Sequence, residues 1–316
     1  MSLFLAKRFA TLIGTLLFTS IVIFIVLEIL PGDPALLILG IDAQPGQLEV
    51  LRQQLGLNDP AWTRYWHWVG GLLTGDFGIS YAYKVPVWEL IGERLQLTIP
   101  LAFISMALTA FLALVLGVYA AANHNKTGDV AIMATSQVGI SIPSFWFAIL
   151  LILLFAVHLG WVSAGGFPGW GAGLVPALAS LILPAISLAI VQAAILARIT
   201  RSSVLEVMRE DFVRTARAKG VSKRAVLWGH VLRNAMIPVI TVMGVQFGNL
   251  IAGTIVIEQV FTLPGLGRLM FQAINQRDLE LIKNVVMLLA VFVVTINFIV
   301  DMLYVVIDPR LKVHDV

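Results

Sequence analysis

Long apolar stretches alternate with short polar segments along most of this chain. At a rise of 1.5 Å per residue, about 20 apolar residues span a bilayer core of about 30 Å. By this criterion transmembrane helices are predicted at residues 9–30, 98–122, 130–159, 178–199, 236–260 and 281–307. The third stretch contains Pro143, which removes a backbone donor and predicts a kink. The pattern therefore predicts an all-α polytopic membrane protein with six transmembrane helices.

The polar segments between these stretches indicate the orientation of the chain. Besides the tails at 1–8 and 308–316, they are 31–97, 123–129, 160–177, 200–235 and 261–280. Lys and Arg are concentrated in segment 200–235 and also occur in both tails and in segment 123–129. The positive-inside rule places such segments in the cytoplasm. We therefore expect both termini inside the cell and the other three segments outside.

Composition supports a membrane protein and excludes several other classes. Of the 316 residues, 59% are hydrophobic and 12% are charged, whereas soluble domains carry about 25% charged residues. The net charge of +3 comes from bases beside the spans, so no nucleic-acid partner is expected. Because the chain has no cysteine, disulfides, thiolate nucleophiles and cysteine metal sites are excluded.

The sequence carries no motif for catalysis or for cofactor binding. It lacks the G-x-x-x-x-G-K-[ST] loop that would hold the phosphates of ATP. Its five histidines show no HExxH spacing, and there is no G-x-S-x-G nucleophile elbow. We therefore expect that this chain is not an enzyme and that it has no catalytic residue, no bound cofactor and no metal site.

Segment 31–97, which we call the cap segment, is rich in aromatic residues and has more acids than bases. Such residues are typical of the aromatic belt at the level of the lipid headgroups. The alternative is a small external cap that receives a partner or a substrate. The residues that we single out for such docking are Asp33, Trp62, Asp76 and Phe77.

Segment 200–235, which we call the elbow segment, is strongly basic. It contains eight Lys/Arg against three acids between Arg201 and Arg233. Basic helices next to a membrane are often anchors for anionic lipid. That interpretation leaves unexplained the two acids Glu210 and Asp211 beside Phe212.

Apolar residues in the elbow segment predict its local structure. Val204, Met208 and Phe212 recur at helical spacing, and Gly220 is suited to end that helix. Ser222 is a suitable N-cap for a second helix that extends to about residue 234. The segment is therefore predicted to form two helices joined at a glycine.

Two ionisable residues lie inside predicted spans, near their inner ends. They are Arg198 in the fourth span and Asp301 in the sixth. Charge in hydrocarbon is costly, so an interhelical pair between them is one expectation and a proton relay is the other. A relay would make the protein a secondary transporter. Because Glu28 and Glu258 also lie near span ends and no charge lies mid-span, the pair is favoured.

Several short motifs, taken in order, resemble the permease subunits of peptide-type ABC importers, the dipeptide, oligopeptide and nickel group. These motifs extend over nearly the whole chain, and their order and spacing together are specific. They occupy residues 29–34, 55–57, 75–80, 142–146, 183–185, 200–203, 211–234, 258–268 and 308–310. The resemblance implies a type I importer permease fold, with the ABC transmembrane domain at about 95–307, in a bacterial inner membrane.

The resemblance also implies a role for the elbow segment. In this family the corresponding EAA loop docks into a groove of a cytoplasmic ATPase. The residues implied in coupling are Asp211, Phe212, Arg214, Thr215, Ala216, Lys219, Gly220 and Ser222. The family pattern is E-A-A, three residues and then glycine, but this chain has Arg214 where the glutamate stands. The role of the glutamate is therefore not carried over.

The partners implied by the resemblance are a homologous second permease, two ABC ATPases that bind ATP and Mg²⁺, an external solute-binding protein, and membrane lipid. Di- or oligopeptides are the expected substrates. Nickel, glutathione or another small solute is the alternative within the same architecture. A secondary transporter that works without ATPases remains a further alternative.

Overall fold

A computed structural model describes residues 2–29, 34–40 and 43–307 of the chain. Over these ranges the regular structure is helical, apart from one isolated bridge between Ile79 and Pro86. The proposed docking residue Asp33 and the tail 308–316 lie outside the described residues.

Thirteen α-helices are described in these ranges, and two of them continue into π-helical segments. The α-helices are α1 (Ser2–Ile29), α2 (Pro34–Leu39), α3 (Pro45–Gln54), α4 (Ala61–Thr74), α5 (Val87–Ala122), α6 (Thr127–Ser141), α7 (Ser144–Leu151), α8 (Leu174–Val207), α9 (Asp211–Ala218), α10 (Lys223–Val226), α11 (Leu232–Val260), α12 (Leu266–Asn275) and α13 (Leu279–Ile307). The π-helical segments are Ile152–His158, after α7, and Leu227–Val231, between α10 and α11.

Five helices in the described part of the chain are long and apolar enough to cross a membrane. They are Leu5–Ile29, Val87–Ala122, Leu174–Val207, Lys223–Val260 and Leu279–Met302. The bent pair Thr127–Ser141 and Ser144–His158 makes a sixth if it is counted as one span. The structure therefore agrees with an all-α membrane protein of five to six spans.

The third predicted span is broken rather than kinked. Its two halves meet at 101°. Ile142 and Pro143 both have extended backbone, with ψ angles of 125° and 133°. A proline disfavours the helical conformation of the residue before it, which accounts for Ile142. Pro143 is extended as well, so the helix breaks over two successive residues.

Several helices extend beyond the predicted spans. The helix over the second span begins at Val87, inside the predicted cap segment, and includes Pro100. The predicted loop 261–280 contains a complete helix, α12. The second arm of the elbow is not a separate helix either, because Lys223–Val260 runs on as one candidate span with Pro238 inside it. Membrane helices tolerate such prolines where neighbouring groups satisfy the freed backbone.

The helices form two compact units. One, which we call the core unit, comprises Ile99–Leu263 and residues 295–307. The other, the cap unit, comprises Ser2–Thr98 and Pro264–Val294.

Helix α8 is the centre of the core unit, where it packs against α6, α7 and α11. Leu196 and Ala197 of α8 are fully buried together with Ala113 of α5. Gly117 allows α5 and α8 to approach closely, since a Cβ at this position would lie only 2.6 Å from Thr200 Cβ. Small residues permit this kind of close contact between membrane helices.

The cap unit is held by an apolar cluster where α5, α12 and α13 begin. Its buried members include Val87, Ile91, Leu266, Leu269 and Leu281. A second, aromatic cluster joins α1 to α4 and α13 through Phe24, Trp68 and Met287.

Candidate functional site

The first arm of the elbow segment consists of two helices where one was predicted. Helix α8 ends at Val207, a turn follows, and α9 runs from Asp211 to Ala218. Glu210 has extended backbone as the N-cap of α9, with ψ of 149°. The acid Asp211 in the first turn favours this new start, because it complements the positive end of the helix dipole.

Helix α9 is anchored through Val213 and, less deeply, Ala216. Val213 is fully buried in a cluster that includes Val118 of α5, Val204 of α8, Val226 of α10 and Ala235 of α11. The short helix is thus packed against the long helices α5, α8 and α11, and against α10, which leads into α11. A displacement of α9 would be passed to those helices because protein interiors are densely packed.

The other faces of α9 and the turn after it are open. Of the residues implied in coupling, Ala216 is half-buried and the rest are exposed: Asp211, Phe212, Arg214, Thr215, Lys219, Gly220 and Ser222. Phe212 is 43% exposed, which leaves part of an aromatic ring open on this side of α9. Arg214 Nη1 donates to Asp211 Oδ1 over 3.2 Å, and this exposed pair contributes little stability.

Two further exposed apolar residues of the elbow segment were not predicted from the sequence. They are Val221, beside Gly220, and Trp228 in the π-helical segment, which is 58% exposed. In the sequence they differ from other apolar residues only in lying within a basic segment. That position does not show whether an apolar side chain is exposed or buried.

The turn between α9 and α10 is a fully bonded Schellman motif. The N–H of Gly220 donates to Arg217 O over 3.0 Å, and the N–H of Val221 donates to Ala216 O over 3.3 Å. Gly220 has φ of +81°, the left-handed conformation that glycine adopts without a Cβ penalty. Ser222 caps the following helix, with its Oγ accepting from the N–H of Ala225 over 3.3 Å. These hydrogen bonds therefore fix the backbone conformation of the turn between α9 and α10.

A partly buried ion pair links the helices at the start of the elbow segment. Arg201 Nε lies 2.5 Å from Asp129 Oδ1, and Arg201 Nη2 lies 2.7 Å from Asp129 Oδ2. Asp129 is 2% exposed and also accepts from the N–H of Asn125 over 2.9 Å. His124 Nδ1 lies 3.1 Å from Arg201 Nη2. Together these contacts join the turn between α5 and α6 to the last part of α8.

Arg198 takes a different partner from the one that was favoured. Its Nη1 donates to Gln137 Oε1 of α6 over 3.0 Å. The pairing of Arg198 with Asp301 stays a prediction.

The docking residues predicted in the cap segment lie in different settings. Trp62 is 69% exposed on α4. Asp76 Oδ1 accepts from the N–H of Gly78 over 3.0 Å and so closes a turn. Phe77 stacks on Trp88 with 5.5 Å between ring centroids.

Two buried polar residues near the start of α13 hold this part of the cap segment. Asp278 Oδ2 accepts from Ser80 Oγ over 2.5 Å, and Asp278 Oδ1 accepts from the N–H of Leu281 over 3.1 Å. Asn284 accepts from Trp68 Nε1 over 3.1 Å and donates to Phe77 O over 2.9 Å. Such satisfied buried networks specify one arrangement of the chain.

Beside this network the cap unit carries a group of polar side chains that the sequence did not single out. Lys283 Nζ lies 2.7 Å from Glu280 Oε2, and Tyr81 OH donates to the same oxygen over 3.4 Å. Burial, followed by the negative charges of Glu280 and Asp278, raises the pKa of Tyr81 well above its usual range. The phenol therefore stays protonated and remains a donor. Glu280 and Lys283 are three residues apart on one helix, but Tyr81 is 199 residues from Glu280, so no local pattern in the sequence brings the three together.

No group of three or more potential metal ligands occurs among residues 2–29, 34–40 and 43–307.

Comparison of the chain with protein families gives two matches that cover most of it. Residues 113–313 match the family described as binding-protein-dependent transport system inner membrane component. Residues 1–102 match the N-terminal family of the same membrane components.

Curated relatives are similar along their whole length. A protein of Brucella abortus (strain 2308), named as a peptide transport system permease protein, is 44% identical over 99% of this chain and 99% of its own. The glutathione transport system permease protein GsiC of Escherichia coli (strain K12) is 41% identical over 98% of each chain.

Solved structures show the same fold at lower identity. An inward-facing form of the MetNI methionine ABC transporter matches with a TM-score of 0.58 and 18% identity, over 69% of this chain and 96% of that one. An amino acid ABC transporter with histidines matches with a TM-score of 0.51 and 16% identity, over 68% of this chain and 93% of that one.

Proposed function

The chain belongs to the family of binding-protein-dependent transport system inner membrane components, and from this premise we propose that it forms half of a translocation path for di- and oligopeptides. It is a multi-pass permease of the peptide-type ABC importers. The proposal for peptides is supported by relatives that are named as peptide transport permeases and are 44% identical to this chain.

The observation that carries the mechanism is the construction of α9. One side chain, Val213, is buried among residues of α5, α8 and the helix that begins at Lys223, while Phe212 and Arg214 next to it are exposed. A short helix with one face in the core and another open to a partner is suited to transmit a mechanical displacement. We assign the elbow segment to docking on an ABC ATPase.

The chain would act with four other subunits. A homologous permease completes the path, two ATPases bind ATP and Mg²⁺, and a solute-binding protein delivers the substrate to the external side. ATP-driven closure of the two ATPases would bring the elbow segments together and rock the spans, which gives alternating access. No step of ATP hydrolysis takes place on this chain.

In this arrangement both termini and the elbow segment face the cytoplasm, while the cap segment faces the solute-binding protein. The concentration of Lys and Arg in the elbow segment supports this orientation. The exposed Trp62 and the fixed turn around Asp76 and Phe77 are suited to docking.

Glutathione is the second candidate substrate. It is supported by the 41% identity to GsiC over nearly the whole chain. Glutathione is itself a small peptide, so the same path would serve either substrate, with recognition placed mainly in the solute-binding protein.

The test is transport by the complete importer in proteoliposomes. The complex of two permeases, two ATPases and the cognate solute-binding protein is supplied with ATP. Radiolabelled dialanine, glutathione or nickel is added in separate assays. We expect ATP-dependent accumulation of dialanine or glutathione. Uptake that continues when the ATPases are omitted would contradict the proposal, as would accumulation of nickel alone.

A further inference from the structure

The cap unit carries a partly open cavity of about 420 Å³, to which the proposed mechanism assigns no ligand. Its walls come from the end of α1, the loop before α4, α4 itself, the turn after it and the first residues of α13. All of these belong to the cap unit. The volume falls in the range of about 300–1,000 Å³ that is typical of small-molecule sites.

Two ion pairs line this cavity. Arg64 is bonded to Glu28, and Lys283 is bonded to Glu280 at 2.7 Å. Both pairs are partly accessible, with Arg64 25% and Lys283 19% exposed. Charges of both signs are thus presented to one space. A ligand that carries both signs can place its cationic end beside the carboxylates and its anionic end beside Arg64.

Carboxylates outnumber the permanent cations on these walls. Asp59 and Asp76 line the cavity in addition to the two paired acids. Among the residues that the structure describes, Asp59 has no ion-pair partner. The excess of negative charge favours the cationic end of a ligand.

One aromatic wall of the cavity is held in place. Trp68 is 6% exposed, and its Nε1 donates to Asn284 over 3.1 Å. Lys283 Nζ lies 5.6 Å from the centroid of its ring, so this ring face already accepts a cation. Gly78 leaves room for Glu280, because a Cβ there would lie 2.8 Å from Glu280 Oε1.

We propose that this cavity binds a small zwitterion, namely a free di- or tripeptide. The carboxylates around Asp59 and Glu280 receive its α-ammonium group, and Arg64 receives its terminal carboxylate. The site would hold a peptide within the permease itself, apart from the solute-binding protein. This inference rests on the proposed function, since it takes the transported class of substrate to be peptides.

The experiment measures binding of dialanine to the assembled permease–ATPase complex without solute-binding protein. The complex is held in nanodiscs of phosphatidylglycerol, whose headgroup carries no ammonium group that could compete. Equilibrium dialysis with radiolabelled dialanine gives Kd. Dialanine amide and N-acetyl-dialanine serve as matched ligands that lack the carboxylate charge or the ammonium charge. We expect dialanine to bind. Each capped ligand should have an affinity that is lower by a factor of about ten or more.

Variants assign the binding to the cavity. Asp59→Asn changes an exposed residue and leaves the fold intact, so it should weaken dialanine and dialanine amide about threefold to tenfold and leave N-acetyl-dialanine unchanged. Glu89→Gln, an exposed acid of α5 outside the cavity, is the matched control and should change no Kd. Lys283→Arg keeps the pair with Glu280 and should retain binding.

Several outcomes would overturn the inference. One is no dialanine binding to a complex that still imports dialanine when the solute-binding protein is added; the proposed function then stands and the cavity assignment falls. A second is equal affinity for all three ligands, or an equal effect of Asp59→Asn and Glu89→Gln. A third is that Asp59→Asn weakens only the affinity of the solute-binding protein, which would make the cavity a docking surface. If the wild-type importer takes up neither dialanine nor glutathione, the result counts instead against the proposed function.

Discussion

Arg201 and Asp129 form a two-point ion pair that joins the turn between α5 and α6 to the helix leading into the elbow segment. The fork of the guanidinium meets both carboxylate oxygens, which is the strong geometry for such pairs. Because Asp129 is 2% exposed, its charge depends on this partner and on the N–H of Asn125.

Breaking this pair should destabilise the protein. Asp129→Asn removes the charge that compensates the Arg201 guanidinium, which is 22% exposed, and hydrogen bonds to charged groups contribute about 1.5–3 kcal/mol. We expect a clear fall in the thermal unfolding temperature of the purified complex. Asp211→Asn removes the acid of an exposed pair and serves as the control, with little change expected. Equal unfolding temperatures for the two variants would contradict the prediction.

Substitution of Gly220 should separate folding from coupling. Gly220→Ala places a Cβ at φ of +81°, where L-residues cost about 1–2 kcal/mol, so the joint between α9 and α10 should shift. We expect normal membrane insertion but reduced ATP-dependent uptake, and Gly220→Val should reduce it further. Gly229→Ala is the matched control in the same segment, because nothing lies within 4 Å of a Cβ there. Normal uptake by Gly220→Val would show that this bend is not needed for coupling.

The elbow shows what the sequence pattern could and could not predict. Gly220 and Ser222 were placed correctly in a turn and a cap, because these roles depend on neighbouring backbone groups alone. The break between Val207 and Asp211 was missed, since the apolar spacing continues across it. The buried position of Val213 decides where α9 lies, and it depends on contacts with α5 and α11 that are distant in the sequence.

The same limit applies to the rest of the fold. Pro143 predicted a kink, but the 101° angle follows from the extended conformation of both Ile142 and Pro143. Asp129 and Asp278 looked like ordinary polar residues at the ends of segments. Their partners Arg201 and Ser80 are 72 and 198 residues away, so periodicity carries no signal of these networks.

Phe212 and Val213 are neighbours in sequence with opposite surroundings, which allows docking to be tested apart from folding. Phe212→Ala removes an exposed ring and should leave stability unchanged, while weakening association with the ATPases. Val213→Ala removes fully buried apolar surface and should cost about 2 kcal/mol of stability. Pull-down of the ATPases and thermal unfolding distinguish the two effects. If Phe212→Ala lowers the unfolding temperature as much as Val213→Ala does, its ring has a structural role and the docking assignment is wrong.

The absence of cysteine makes the orientation of the chain directly measurable. Single cysteines introduced as Trp62→Cys in the cap segment and Arg214→Cys in the elbow segment would be the only thiols, and both positions are exposed. In intact cells with a permeable outer membrane, a membrane-impermeant maleimide should label the cysteine at position 62 and spare the one at 214. Inverted membrane vesicles should give the reverse result, since they present the cytoplasmic face. A cysteine in place of Thr74, also exposed and in the cap segment, should follow position 62. Labelling of position 214 from outside would place the elbow segment on the wrong side for a cytoplasmic ATPase, and the coupling mechanism would then have to be abandoned.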